Sequence, residues 1–379
     1  MKIAVLAETD DNEPRVAATP ETVKKYIGLG ADVAVVKGAG AKSHMADDAF
    51  KDAGASVAAS ASAACKGADV VLSVRRPDAK TIKAIDKGSA LIGMLDPYGA
   101  EKDVEAIGKA GIDAFTMEFM PRITRAQVMD VLSSQANIAG YQAVIVGAAN
   151  YGMAIPMMMT AAGTVPAAKV FVMGAGVAGL QAIATARRLG AVVTATDVRA
   201  AAGEQVESLG GKFIMTEALK DASGDGGYAR ELTDDEKKAQ SELVAGHIAK
   251  QNIVVTTALI PGRPAPELVS ADMVKSMSAG SVIVDLAAER GGNCALTEPG
   301  KTIDVNGVKI IGTLNLPGQL AATASNLYSR NLYAFVETMV DKDAKALKVD
   351  WDDELVSATN LTRGGAVVHP AFAPAEKAS

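Results

Sequence analysis

Two α/β domains, each a doubly wound parallel sheet with helices on both faces, are what this sequence predicts. Three observations carry the prediction. Short apolar runs alternate with helical stretches from the first residues onward, the pattern of a parallel sheet covered by helices. One run ends in a spaced set of glycines, Gly174, Gly176 and Gly179. A length of 379 residues suits two domains.

The elements follow in order. KIAVLAE, starting at Lys2, reads as a strand. Thr19 and Pro20 make a helix start, Thr19 as the cap and Pro20 in the first helical position. The helix over ETVKKYIGLG closes on glycine, and ADVAVVKGAG is the next strand. ADVVLSVRR, SALIGML and IDAFTME continue the series without any glycine fingerprint.

From Val131 to Ala168 there is no charged residue, a stretch long enough to span a bilayer. Ser133, Ser134, Gln135, Asn137, Gln142, Asn150, Pro156 and Pro166 within it argue instead for a buried helix followed by a methionine-rich loop. A second set of strands is expected at KVFVM, AVVTATD, KFIM, NIVVTTAL, SVIVDLA and KIIGTL. The long helical run from Gln319 then returns the chain to the first domain, which DDELVSATNLTRGGAVVHP completes. The domains are expected at 1–132 plus 319–379 and at 133–318, with a ligand cleft between them.

The stretch from Lys169 to Arg199 carries the chemistry. It reads as strand, glycine turn, helix and strand, and its glycines form G-x-G-x-x-G with Asp197 following at the expected distance, the Rossmann-like dinucleotide fingerprint. Gly174 permits the tight turn, Gly176 clears the backbone for a pyrophosphate, and Gly179 lets the helix approach the strand. Val177 and Ala178 open the helix, whose free N–H groups and positive dipole end face the phosphates. Asp197 can accept the ribose hydroxyls and would repel a 2′-phosphate, which favours NAD(H). Arg199, next to Val198, points the other way, because a guanidinium there can pair with a 2′-phosphate. The Gly-rich segment 221–230, with Gly227 and Tyr228, reads either as a surface loop or as a lid over bound nucleotide.

Composition excludes several classes. Hydrophobic residues make up 49% but aromatics only 4%, so the cores are built from Ala, Val, Ile, Leu and Met. A net charge of −6 without any basic block gives no reason to expect nucleic acid or an anionic membrane surface. Cys65 and Cys294 fit two reduced thiols in a reducing compartment. There is no zinc-ligand spacing, so no metal is expected. The N-terminal MKIAVLAETD has too short an apolar run for a signal peptide.

The run MEFMPRITRAQVMDVLSSQANIAGYQAV, residues 117–144, names a family. With TAAGTVPAAKV, ATDVRAA, EQVESLGGKF, TTALIPGRPAP and VIVDLAAERGGNC, it closely resembles the NAD(H)-binding α1 subunits (domain I) of bacterial proton-translocating NAD(P) transhydrogenases, over essentially the whole chain. The resemblance implies that Arg122, Gln127 and Asp130 form a loop beside the nicotinamide, with Ile123 and Thr124 on it and Ser133 just beyond. Gln127 and Ser133 can serve the carboxamide, and Arg122 can pair with Asp130 or reach a phosphate. Seen without the family, Arg122 and Asp130 read as an ordinary ion pair at a helix start. The resemblance further implies nucleotide contacts at Val177, Asp197, Val198, Arg199, Gly227, Tyr228, Ala258 and Leu259.

It also implies partners: a homodimer, an NADP(H)-binding β subunit or domain III that supplies the second nucleotide, and separate membrane subunits for proton translocation. The chain would then be cytoplasmic, held on the inner face of the membrane through those subunits without spanning it. Hydride would pass directly between two nicotinamides, and the protein's task would be to align them and exclude water. Alanine dehydrogenases share the fold and the fingerprint and offer the alternative, an NAD-dependent amino-acid dehydrogenase. Arg15 matches their substrate arginine. Where they carry lysine and histidine, this chain has Arg75 and Asp96, so it lacks the proton-handling pair such a reaction needs.

Overall fold

A computed structural model describes residues 1–216, 233–260 and 262–373. The chain divides into two compact units, Met1–Gln135 with Gly318–Ser379, and Ala136–Pro317.

The first unit begins with β1 (Lys2–Val5), α1 (Pro20–Gly28), β2 (Asp32–Val36), α2 (Asp47–Asp52) and β3 (Ser56–Ala58). It continues through α3 (Ala61–Cys65), β4 (Val70–Arg75), α4 (Ala79–Ile82), β5 (Ala90–Met94), α5 (Glu101–Lys109) and β6 (Asp113–Thr116). β5 is buried along its whole length, and β4 up to its last residue, as strands covered on both faces must be. α1 starts where the sequence predicts: the Thr19 side chain accepts the N–H of Thr22, Thr22 answers the cap backbone, and Pro20 follows the cap.

A 3₁₀ turn, Thr124–Met129, leads into α6 (Val131–Tyr151), and the hairpin β7 (Met158–Thr160) and β8 (Gly163–Val165) follows. The expectation for this stretch needs correcting. α6 is only partly covered, with Leu132 46% and Tyr141 41% exposed. The methionine-rich segment is a two-stranded hairpin, not a loop. The error has a physical cause: an uncharged helix looks buried on composition, yet α6 has almost no amphipathic asymmetry, so its sequence does not say which side is covered. Among the described residues, no helix is long and apolar enough to cross a membrane.

The second unit contains β9 (Lys169–Met173), α7 (Val177–Arg188), β10 (Val192–Thr196), α8 (Ala202–Ser208), β11 (Lys212–Phe213) and α9 (Asp234–Ile248). After these come β12 (Ile253–Thr256), α10 (Ala271–Ser276), β13 (Val282–Asp285), β14 (Thr302–Val305) and β15 (Val308–Ile311). The expected strands are all present, although KFIM contributes only two residues. β14 is an addition to them. It pairs antiparallel with β15 through Asn306 and Gly307, both at positive φ. This Asn-Gly step is a strong hairpin signal, visible in the sequence itself.

The chain re-enters the first unit with α11 (Ala321–Thr338), β16 (Val340–Asp341), β17 (Ala346–Leu347), α12 (Glu354–Thr359), β18 (Asn360–Arg363) and β19 (Ala366–Val367). The eight-stranded sheet runs β19-β18-β6-β5-β4-β1-β2-β3, and the seven-stranded sheet β11-β10-β9-β12-β13-β15-β14. Both are doubly wound. In each, the strand order reverses beside the first strand, between β1 and β4 and between β9 and β12, which is where such sheets open a crevice. α11 fills one side of the first core with Tyr328, Leu332, Phe335 and Val336.

Candidate functional site

In the second unit, the reversal point coincides with the glycine turn. Gly174 leaves β9 at φ +102, a conformation that only glycine adopts easily. A Cβ on Gly179 would lie 1.8 Å from the Gly174 carbonyl oxygen, so helix and turn touch through backbone alone. Gly176 differs. A Cβ there would meet nothing within 4 Å, so the protein's own packing does not demand a glycine. What its absent side chain leaves open is the approach to the N-terminus of α7, which has no side-chain cap. That is the donor set a phosphate requires.

Around this turn the structure gathers most of the expected residues. Asp197, nearly buried, accepts the N–H of Ala175 at 2.7 Å. It also takes the Arg199 backbone N–H at 2.9 Å and the guanidinium at 2.9 and 3.0 Å. Burial would push its carboxyl up, but the bonds from Arg199 and Ala175 outweigh burial and hold it below the usual carboxylate value. Asp197 therefore neutralises Arg199, the residue that blurred the choice between nucleotides. Val198 lies between them, half-buried. Ala258 and Leu259 follow β12 directly alongside: the Thr257 hydroxyl donates to the Gly174 carbonyl at 3.1 Å, and Leu259 is 51% exposed. Gly227 and Tyr228 lie outside the described residues.

Sequence reasoning missed three supports here. Thr257 is the first. Asn293, fully buried, is the second: its side chain donates to the carbonyls of Ala258 and Pro266, each at 2.8 Å, and accepts the Ala258 N–H at 3.0 Å. The third is Gly140 on α6, whose Cβ would fall 2.0 Å from the Ala178 carbonyl oxygen, so α6 packs on the head of α7. The sequence held no sign of them, since each acts on a partner tens of residues away.

The segment 122–133 belongs to the first unit. Arg122, Thr124 and Gln127 are exposed on it, while Ile123, Asp130 and Ser133 are half-buried. Asp130 accepts the Ser133 N–H at 2.8 Å and its hydroxyl at 2.5 Å, closing the first turn of α6. Arg125, unremarked in the sequence, makes a two-pronged bond to Asp353 at 2.7 and 3.0 Å.

The reversal point of the first unit is filled differently. Arg15, 2% exposed, donates from Nε and Nη2 to Glu13 at 2.7 and 2.6 Å and from Nη1 to Gln135 at 2.8 Å. Arg75 adds a bond to the same Glu13 at 2.9 Å. Burial raises the Glu13 carboxyl, yet the two arginines outweigh it and hold the group low. Glu8 accepts the N–H groups of Val74 and Arg75, and burial still pushes it up to about 7. The Tyr328 hydroxyl bridges Ser73 and Met94. An ionic plug thus occupies the place where the other sheet presents glycines.

The histidines hold structural posts. His44 caps a short exposed turn. His247 bonds Thr194 at 2.8 Å and Gln251 at 3.0 Å. His369 packs on Phe119 at 4.7 Å and accepts the N–H of Ala371. Cys65 and Cys294 are free and buried. Among the described residues, no group of side chains could hold a metal ion.

Comparison with known proteins agrees with this geometry. The alanine dehydrogenase/PNT N-terminal domain model matches residues 4–139, and its C-terminal counterpart residues 143–370. The chain is 54% identical over 379 residues to the first of the polypeptides that make up the NAD(P) transhydrogenase alpha subunit of Rhodospirillum rubrum, covering 98% of this chain and 99% of that one. A solved transhydrogenase from Sinorhizobium meliloti superposes with a TM-score of 0.86 at 56% identity, covering 98% of this chain and 100% of that one. A solved L-alanine dehydrogenase gives 0.82 at 26%, covering 98% of each.

Proposed function

The chain belongs to the alanine dehydrogenase/PNT family, within it to the NAD(P) transhydrogenase α subunits, and from that premise we propose that it is the NAD(H)-binding component of a proton-translocating transhydrogenase. It exchanges hydride with NADP(H) carried by a partner domain. The nucleotide supplies the hydride chemistry; the chain supplies grip, orientation and dryness.

The residues fit a dinucleotide. The uncapped head of α7 and the open backbone at Gly176 suit the pyrophosphate, with Val177, Ala178, Ala258 and Leu259 beside it. Asp197 suits the ribose hydroxyls, and by occupying Arg199 it leaves no free cation there for a 2′-phosphate. This supports NAD(H) on this chain and NADP(H) on the partner. Gln127, Asp130 and Ser133, with Arg122, Ile123 and Thr124, are assigned to the nicotinamide and its surroundings, and Gly227 and Tyr228 to the cover over the nucleotide.

The observation that carries the choice of reaction is the Arg15 plug. An amino-acid dehydrogenase needs a cation for its substrate carboxylate and a proton carrier beside it. Here Arg15 and Arg75 are bound to a carboxylate of the protein itself. Hydride transfer between two nicotinamides needs neither group. Proton translocation, and attachment at the cytoplasmic face of the membrane, fall to separate membrane subunits.

A homodimer is the assembly we assign. In support, β7 and β8 form a two-stranded sheet of their own with Met157, Met158 and Met159 exposed by 60%, 43% and 78%. An isolated hairpin with an apolar surface is marginal in water unless something covers it.

The test mixes the purified chain with an NADP(H)-binding partner domain and follows reduction of an NAD analogue by NADPH. Rapid transfer is expected. Gln127→Asn should slow it while leaving NADH affinity nearly intact, because ring geometry is that residue's task. Absence of transfer with a competent partner would overturn the assignment.

A further inference from the structure

The segment assigned to the nicotinamide is held by a residue far along the chain. Asn331 lies buried on α11. Its Nδ2 donates to the Val128 carbonyl at 2.7 Å, and its Oδ1 accepts the Ser134 hydroxyl at 2.7 Å. These anchor points stand on either side of Asp130 and Ser133, and Val128 follows Gln127 directly. A second tether lies at one end: Gln135 takes Arg15 Nη1 at 2.8 Å and donates to the Ala324 carbonyl at 3.2 Å.

A carboxamide suits the task, offering a donor and an acceptor in one rigid plane. Here the two are spent on the two ends of one short turn. A buried asparagine serving only its own helix would have no reason to reach both ends of a segment about 200 residues earlier.

We propose that Asn331 is a positioning residue for hydride transfer, fixing the 127–133 segment in the conformation that orients the nicotinamide while touching no substrate itself. The proposal rests on the function given above. Its physical basis is steep geometry dependence: a displacement of about 1 Å in a positioned reactant can cost about 100-fold in rate. The contacts assigned to adenosine and pyrophosphate lie in the other unit and do not involve Asn331, so rate and affinity should separate.

The test uses the full chain carrying Asn331→Ala, Ser134→Ala, or both. With the partner domain, Asn331→Ala is expected to lower kcat roughly 10- to 100-fold with NADH Kd unchanged by calorimetry. Ser134→Ala should lower it less. The double variant should be no worse than Asn331→Ala alone, since the second change removes a bond already lost. In the free chain, amide exchange over 127–135 should speed up in the variants while the rest keeps its wild-type rates. Wild-type kcat in Asn331→Ala, fully additive losses, or NADH affinity falling in step with kcat would each overturn the proposal. Should Asn331→Ala not fold, Ser134→Ala decides alone, and unchanged kcat and exchange defeat it. If the wild-type chain transfers no hydride, it is the functional reading that falls, and amide exchange still judges the staple.

Discussion

Asp197 accepts the backbone N–H of Ala175 at 2.7 Å, so the residue that ends the second fingerprint strand grips the glycine turn that ends the first. The same carboxylate holds Arg199. Removing its charge should therefore act twice. Asp197→Asn is expected to weaken NADH binding roughly 10- to 100-fold, the worth of one or two charge-assisted hydrogen bonds. NADPH should lose less, because the released Arg199 can meet its 2′-phosphate. Paired calorimetric titrations check this; equal losses for both nucleotides would remove Asp197 as the discriminator.

Gly140 offers a test of how α6 supports the site. An alanine there would bring a methyl group to within 2.0 Å of the Ala178 carbonyl oxygen. Both atoms belong to helical backbone, so neither can swing aside. Gly140→Ala should destabilise the protein by about 1–3 kcal/mol through overpacking and shift the head of α7, weakening NADH. Thermal melts and titration measure both; a wild-type melt and a wild-type Kd together would mean that the packing at this point is not tight.

The Arg15 plug predicts a missing reaction. With pyruvate, ammonia and NADH, turnover should be negligible, because Arg15 spends three of its N–H groups on Glu13 and Gln135. Steady oxidation of NADH with formation of alanine would show that a substrate carboxylate can displace Glu13, and would move the assignment to the dehydrogenase branch.

Two buried groups give stability opposite pH trends. Burial lifts Glu8 to about 7, above its value of 4.5 in an open chain. Its contribution is fully present below 4.5 and is lost as pH rises through about 7. His247 is lowered, first by burial and then by the nearby Lys250, Lys212 and Lys169. Its contribution is present above its ordinary value of 6.5 and is lost as pH falls through the lower folded value. Glu8→Gln should flatten the decline in Tm toward alkaline pH, and His247→Gln the decline toward acid. A Glu8→Gln profile parallel to wild type would mean that the carboxyl ionises normally.

The exposed methionines on β7 and β8 predict an association. Met159→Asp should shift the chain toward monomer in sedimentation or light scattering at concentrations where wild type is a dimer. A variant that stays dimeric would place the interface elsewhere.

Much of this is legible in the sequence. Apolar runs such as VVLSV and VIVD can only be covered strands, and the G-x-G-x-x-G turn with Asp197 marks a reversal point. The hairpin at Asn306–Gly307 is equally legible from its turn dipeptide. Other features have no local trace. Asn331, Asn293, Thr257 and Gly140 act across long stretches of chain, through single bonds or a single close approach, and nothing in their neighbours' periodicity marks them. The covered side of α6 is hidden for a related reason: without polar contrast around a helix, sequence cannot choose a face.

The two units are also unequal in the order of their making. The fingerprint unit is one continuous stretch, 136–317, whereas the first sheet needs β18 to pair with β6, joining Asn360 to Phe115. During synthesis, the nucleotide-gripping unit can close as soon as it leaves the ribosome. The earlier-made half must wait, its β6 edge open and its core lacking α11, until the last residues arrive. Birth order and folding order are thus reversed. The exposed edge of β6 marks the nascent chain's point of greatest danger, where a chaperone would be of most use.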